Sequence, residues 1–145
     1  MKIFVVIFAV FALMTVTISF IPVQEDPWKV PKMYESMKNP VIADISSINA
    51  GKDIYNSYCR SCHGKNGKGE GKRADNLSTK PSDFSSALFQ KQTDGALLYK
   101  VYFGHKDMPG FKKRIPGNED VMKSGFGQTR NAGDLINFLR TYAKK

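Results

Sequence analysis

The sequence predicts an all-α domain closed around one covalently attached prosthetic group, and three observations predict it. Apolar residues recur at i, i+3, i+4 spacing in three stretches, 47–59, 94–103 and 131–143. Glycine-rich or irregular chain separates them, and no βαβ pattern is visible. Between the first and second stretches stands Cys59-Arg60-Ser61-Cys62-His63. C-x-x-C-H is the spacing at which two cysteines form thioethers to the vinyl groups of one haem while the following imidazole binds its iron.

The chain has 145 residues and opens with a short positive start, Met1-Lys2, followed by an apolar run from Ile3 to Met14 and then Thr15-Val16-Thr17-Ile18-Ser19. That is the layout of a secretory signal peptide. The small residues Thr17 and Ser19 suit cleavage after Ser19, but the apolar stretch continues through Phe20 and Ile21, close to the ~20 residues that span a bilayer. Residues 1–19 therefore read either as a cleaved signal or as a retained membrane anchor. Both place the rest of the chain in the periplasm or on the outer face of the cytoplasmic membrane, the side on which bacterial c-type haem is attached. Residues 20–46 read as an arm or linker, broken by Pro22, Pro27, Pro31 and Pro40. Trp28, the one tryptophan, is expected to pack that arm against the domain, which comprises 47–145.

Ser47 is the expected N-cap of a helix running to Cys59, with Ile48, Gly51, Ile54, Tyr55 and Tyr58 on one stripe. This helix delivers Cys59, Cys62 and His63 to the haem. Other uses of C-x-x-C are poorly supplied. A structural zinc site needs four ligands, and the chain has only 2 Cys and 2 His. A thioredoxin-like dithiol needs a βαβ setting. A simple disulfide leaves His63 without a role. Gly64 to Gly71 holds four glycines in eight residues and reads as loop, and 72–92 should stay largely irregular. Thr93 then caps a helix from Asp94 to Phe103, with Leu97, Leu98, Val101 and Tyr102 inward and Gly104 as its stop. Asn118-Glu119-Asp120 starts a short helix that fails at Gly125 and Gly127. The last helix, from about Asn131 to Ala143, carries Leu135, Phe138, Leu139 and Tyr142 on one face.

With His63 under the iron, one axial position is open, and His105, Met33, Met37, Met108 and Met122 compete for it or leave it empty. Methionine is usually a flexible core filler, a role that suits Met33, Met37 and Met122. Met108 sits instead in the loop His105-Lys106-Asp107-Met108-Pro109-Gly110-Phe111, where Pro109 stiffens the backbone beside the thioether. Met108 is the preferred sixth ligand. His105 is the rival and would give a lower potential.

The run Cys62-His63-Gly64-Lys65-Asn66-Gly67-Lys68-Gly69-Glu70-Gly71, followed by Asp107-Met108-Pro109-Gly110-Phe111 and a C-terminal helix, resembles the class I monohaem c-type cytochromes, small exported bacterial forms in particular. The likeness covers about 47–143. It implies a cytochrome c-like helical domain around one covalent haem c, with the N- and C-terminal helices crossing closely, and Gly51 and the Phe138/Tyr142 face suit that crossing. It also implies a proline whose carbonyl orients the proximal histidine, for which Pro81 in Lys80-Pro81-Ser82-Asp83-Phe84 is the candidate. The stretch 123–128 departs from the pattern by interrupting what is often one continuous C-terminal helix.

A haem capped on both faces has no free site for substrate. The expected role is thus one-electron transfer in an exported respiratory-type chain rather than enzymatic catalysis, with iron held by His63 and Met108 and the haem by Cys59 and Cys62. Two alternatives remain: a haem subunit of a larger membrane oxidase or dehydrogenase complex, and a sensor or enzyme with a displaceable sixth ligand. The chain carries 22 Lys+Arg against 13 Asp+Glu, a formal +9, and within 1–19 only Lys2 contributes. Export makes nucleic acid an unsuitable partner for such a basic domain. Acidic redox proteins suit it better, as does association with a membrane through the N-terminus. Lys65, Lys68, Lys72 and Arg73 flank the attachment motif, and Lys106, Lys112, Lys113 and Arg114 flank the Met108 loop. Both groups are expected to border the haem edge.

Overall fold

A computed structural model describes residues 28–115 and 130–143. The signal or anchor segment 1–19, the arm as far as Pro27, Met122, the helix expected from Asn118 and the interruption at 123–128 lie outside the described residues. The described chain is helical: α1 Lys32–Glu35, α2 Ile45–Tyr58, α3 Arg60–His63, α4 Ala87–Gln90, α5 Asp94–Phe103 and α6 Arg130–Arg140, with a 3-10 turn at Ala74–Asn76. Among these residues the only β pairing is an isolated bridge between His105 and Met108.

Helix α5 follows its local signals to the residue. Thr93 accepts a hydrogen bond from Ala96 N at 3.1 Å as N-cap, and Gly104 ends the helix at φ 70°. Its inward residues Leu97, Leu98, Val101 and Tyr102 are all buried. Helix α2 starts earlier than expected. Its N-cap is Asp44, whose Oδ1 accepts from Ser47 N at 2.7 Å, a carboxylate placed where the helix dipole favours negative charge. Ser47 is wholly buried instead, and its Oγ accepts from Asn137 Nδ2 at 2.9 Å. The stretch 72–92 is less irregular than expected, since α4 and the 3-10 turn fall within it.

Helices α2 and α6 cross at Gly51. A methyl group there would run into the Asp134 carbonyl and reach 2.8 Å from Phe138 Cβ. No larger residue permits so close an approach. Tyr55, 1% exposed, lies next to the crossing among Phe84, Phe138 and Tyr142, and its hydroxyl donates to the Gly64 carbonyl at 2.6 Å. Arg140 links the end of α6 to the start of α5. Its guanidinium donates to Asp94 Oδ1 at 2.6 and 3.0 Å, to the Gln92 carbonyl at 2.7 Å and to the Gln90 carbonyl at 3.0 Å. A fixed fork of donors suits that set as an ammonium would not.

From Trp28 onward the arm is laid on the domain. Trp28 packs against His105, ring centroids 5.1 Å apart and planes tilted by 35°, and Tyr34 packs against Tyr99 at 4.9 Å on α5. Asn39 Nδ2 donates to the Gly133 carbonyl and to Asn137 Oδ1, both at 2.9 Å, and Asn137 Nδ2 reaches the Val41 carbonyl at 3.0 Å. The arm thus packs on α5 and α6 before becoming the cap of α2, bonded to α6 through the Asn39 side chain and the Val41 carbonyl.

Candidate haem site

The attachment motif forms a single tight turn. Cys62 N and His63 N both bond to the Cys59 carbonyl, at 3.2 and 3.0 Å, and Gly64 N closes on the Arg60 carbonyl at 2.9 Å. Cys59, Cys62 and His63 are gathered in this way by local chain alone. The glycine loop then folds back on the turn, with Gly69 N on the His63 carbonyl, Gly71 N on the Cys62 carbonyl and Arg73 N on the Ser61 carbonyl, each within 3.0 Å.

Cys59 and Cys62 are both free thiols, half-buried and not joined to each other. Burial, with the neighbouring Cys62, pushes the Cys59 thiol up to about 12. His63 is 9% exposed, and burial lowers it to about 4 against a weaker opposing effect from its backbone hydrogen bond. Its imidazole is therefore neutral at pH 7. Nδ1 faces the Ser82 carbonyl at 3.4 Å, and an Nδ1–H donating there leaves the Nε2 lone pair available to a metal. The ring stacks on Phe84, centroids 4.3 Å apart and planes 23° from parallel.

The carbonyl facing His63 corrects the expectation from the family resemblance. It belongs to Ser82, one residue beyond Pro81. The Pro81 carbonyl lies against Gly69, at φ 77°, where any Cβ would collide with it. Close packing of 81 on 69 turns the next carbonyl toward the imidazole. Sequence reasoning also passed over Phe84 and Tyr55 as site-shaping residues. Phe84, in Ser82-Asp83-Phe84, had only its apolar character as a signal. Tyr55 stands on the α2 apolar stripe, and no sequence signal marks its hydrogen bond to Gly64.

The competing axial residues differ in how they meet the core. Met108 is partly buried and packs against the apolar cluster that also holds Tyr55, Phe84, Leu98 and Phe111, as Cys59 does. His105 is exposed, with its ring in contact with Trp28 on one side. Of the remaining methionines, Met33 is 62% exposed. Met37 packs on the core near Gly95. Two unjoined thiols one turn apart, a buried neutral imidazole with one nitrogen held by backbone, and a thioether on the same apolar cluster form a donor set that fits a c-type haem. A zinc site finds no support, since no cluster of three His, Cys, Asp or Glu side chains able to hold a metal occurs among the described residues. All eight basic residues flanking the motif and the Met108 loop are exposed.

Comparison with known proteins agrees with this reading. Residues 46–123, more than half of the chain, match the family model described as cytochrome c oxidase, cbb3-type, subunit III. A search of curated proteins finds no match. Among solved structures, a reducing HAO-like protein complex of Kuenenia stuttgartiensis is similar over 72% of this chain, with a TM-score of 0.58 at 22% identity. This chain covers 47% of that one, so the likeness speaks for the fold. The helical fold, the C-x-x-C-H turn and the family match together make this chain a c-type cytochrome, a member of the family described as cytochrome c oxidase, cbb3-type, subunit III.

Proposed function

We propose that this cytochrome is a one-electron carrier in an exported respiratory-type chain and not itself an enzyme. One haem c would be held by thioethers from Cys59 and Cys62, with His63 and Met108 as axial ligands. When bound, the haem supplies an iron that cycles between ferric and ferrous states. The chain's own residues do the rest. The Ser82 carbonyl orients the His63 imidazole and raises its basicity, Phe84 fixes the ring plane, and the apolar cluster excludes water from the iron's surroundings. The observation that carries the reading is buried His63, its Nδ1 on backbone and its ring on Phe84, together with Met108 on the apolar cluster to which Phe84 belongs. Ligation by both His63 and Met108 would leave no position for substrate. It also limits rearrangement on electron transfer.

The eight exposed basic side chains favour acidic redox proteins as donor and acceptor, through steering more than tight affinity. The signal-like residues 1–19 favour the periplasm or the outer face of the cytoplasmic membrane, as a cleaved signal or an anchor. A second reading has its own support. The family is described as an oxidase subunit, which favours this chain working as a haem subunit of a larger membrane complex.

Absorption spectra of the purified protein in both oxidation states, with intact mass after denaturation, test the proposal. Low-spin c-type bands, a Met-to-ferric-iron charge-transfer band and one haem retained on the denatured chain are expected. A high-spin spectrum that binds carbon monoxide without denaturant would overturn the carrier reading in favour of a sensor or enzyme. Copurification with oxidase chains would establish the subunit reading.

A further inference from the structure

Residues 78–84 form a belt that joins the His63 turn to the Met108 turn. At one end Phe84 N donates to the Gly67 carbonyl at 2.7 Å, the Phe84 ring stacks on His63, and the Ser82 carbonyl faces His63 Nδ1. In the middle the Pro81 carbonyl rests on Gly69. At the other end Asp107 Oδ2 accepts from Ser78 Oγ at 2.6 Å and from Thr79 N at 2.9 Å. Asp107 belongs to a turn closed twice on itself, His105 N to the Met108 carbonyl at 2.8 Å and Met108 N to the His105 carbonyl at 2.9 Å. Lys106 within that turn has φ 50°, the one non-glycine residue with positive φ among those described. In so tight a turn the backbone of Met108 follows wherever the Asp107 side chain is held.

We propose that Asp107 is a positioning residue for the sixth ligand. Its carboxylate latches the Met108 turn to Ser78 and Thr79, and the latch sets how often the Met108 thioether leaves the iron. This rests on the reading of Met108 as axial ligand. The carboxylate acts purely as a hydrogen-bond acceptor. The two sites it joins are 28 and 29 residues apart in sequence, so nothing in the local chain would otherwise hold them in register.

The test uses full-length, haem-loaded ferric protein and the limiting rate of imidazole binding at saturating imidazole, which reports departure of the native sixth ligand. Asp107→Ala should raise that rate several-fold, and Ser78→Ala, approaching the same bond from the other side, should raise it less. Asp107→Asn keeps an acceptor oxygen and should stay near the wild-type rate. Met108→Ala, with no thioether to displace, should bind without the slow step. An unchanged limiting rate in Asp107→Ala, beside a fast Met108→Ala, would overturn the latch and leave Met108 ligation standing. So would an Asp107→Asn variant as fast as Asp107→Ala. Wild-type protein that binds imidazole without a slow step would overturn the ligation itself.

Discussion

At the scale of single residues, the proposed ligands His63 and Met108 are held by different kinds of support. His63 is built in: its turn is closed by three backbone hydrogen bonds, its Nδ1 faces Ser82 and its ring lies on Phe84. Met108 is set in a tight turn, its side chain packed against the apolar core. Met108→Ala should therefore leave haem attached while removing the Met-to-ferric-iron charge-transfer band and lowering the potential. His105→Ala should do neither, since that ring is exposed and engaged with Trp28. Spectra and potentiometry of the two variants decide the axial assignment, and a lost band in His105→Ala alone would reverse it. Phe84→Ala removes a buried ring, 6% exposed, from beneath the imidazole and from its contacts with Tyr55 and Phe89. Truncation of a buried Phe costs about 3–5 kcal/mol. Denaturant unfolding should show a loss in that range, with Phe84→Leu recovering much of it.

At the scale of elements, the α2–α6 crossing and the arm decide whether the site is held at all. Gly51→Ala illustrates the competition. In an isolated helix alanine would gain roughly 0.5–1 kcal/mol over glycine. Here the added methyl meets the Asp134 carbonyl and Phe138, and overpacking of that kind costs about 1–3 kcal/mol or more. The steric term wins, so Gly51→Ala should lower the thermal midpoint. Asn137 plays a comparable part for the arm, bonding Asn39, Val41 and Ser47 from a side chain 7% exposed. Asn137→Ala leaves the Val41 carbonyl and the Ser47 hydroxyl without that donor, at about 1–3 kcal/mol. The midpoint should fall, and limited proteolysis should begin to cut near 39–44. Protection equal to wild type would mean the arm is held chiefly by Tyr34 and Trp28.

At the scale of the whole molecule, the proposed function asks the same chain to hold a large apolar group and to present it to partners. Replacing Cys59 and Cys62 by Ala should abolish covalent attachment and leave an unfolded or degraded chain, because a domain this small gains much of its stability from what it binds. A folded, haem-free double variant with native-like thermal melting would refute that dependence. The exposed basic residues predict that electron transfer to an acidic partner slows as salt rises, since such charges are screened over a Debye length of ~10 Å at 0.1 M. Lys65→Glu, Lys68→Glu, Lys112→Glu and Lys113→Glu together should lower the association rate without shifting the haem spectrum. Equal slowing by Lys144→Glu and Lys145→Glu would mean net charge alone matters.

By itself the sequence determined what depends on a few neighbouring residues. Helix α5 is legible from Thr93 to Gly104 because cap, apolar stripe and stop all lie within one short stretch. The attachment turn is legible for the same reason, since thiols and imidazole at fixed spacing need only one turn of chain to meet. The close approach at Gly51 was foreseeable through the family resemblance, which implies a crossing of the N- and C-terminal helices that a glycine suits. What only the tertiary structure decided is which distant group each polar atom meets. Ser47 is taken from capping by Asn137, 90 residues away, so Asp44 begins the helix instead. The carbonyl beneath His63 comes from Ser82 because Pro81 is held by Gly69. Helix periods and motif spacings are short-range properties of the backbone. The partners of Ser47, Asn137, Ser82 and Asp107 depend on how separate segments lie once the apolar core has closed, and no local pattern encodes that path.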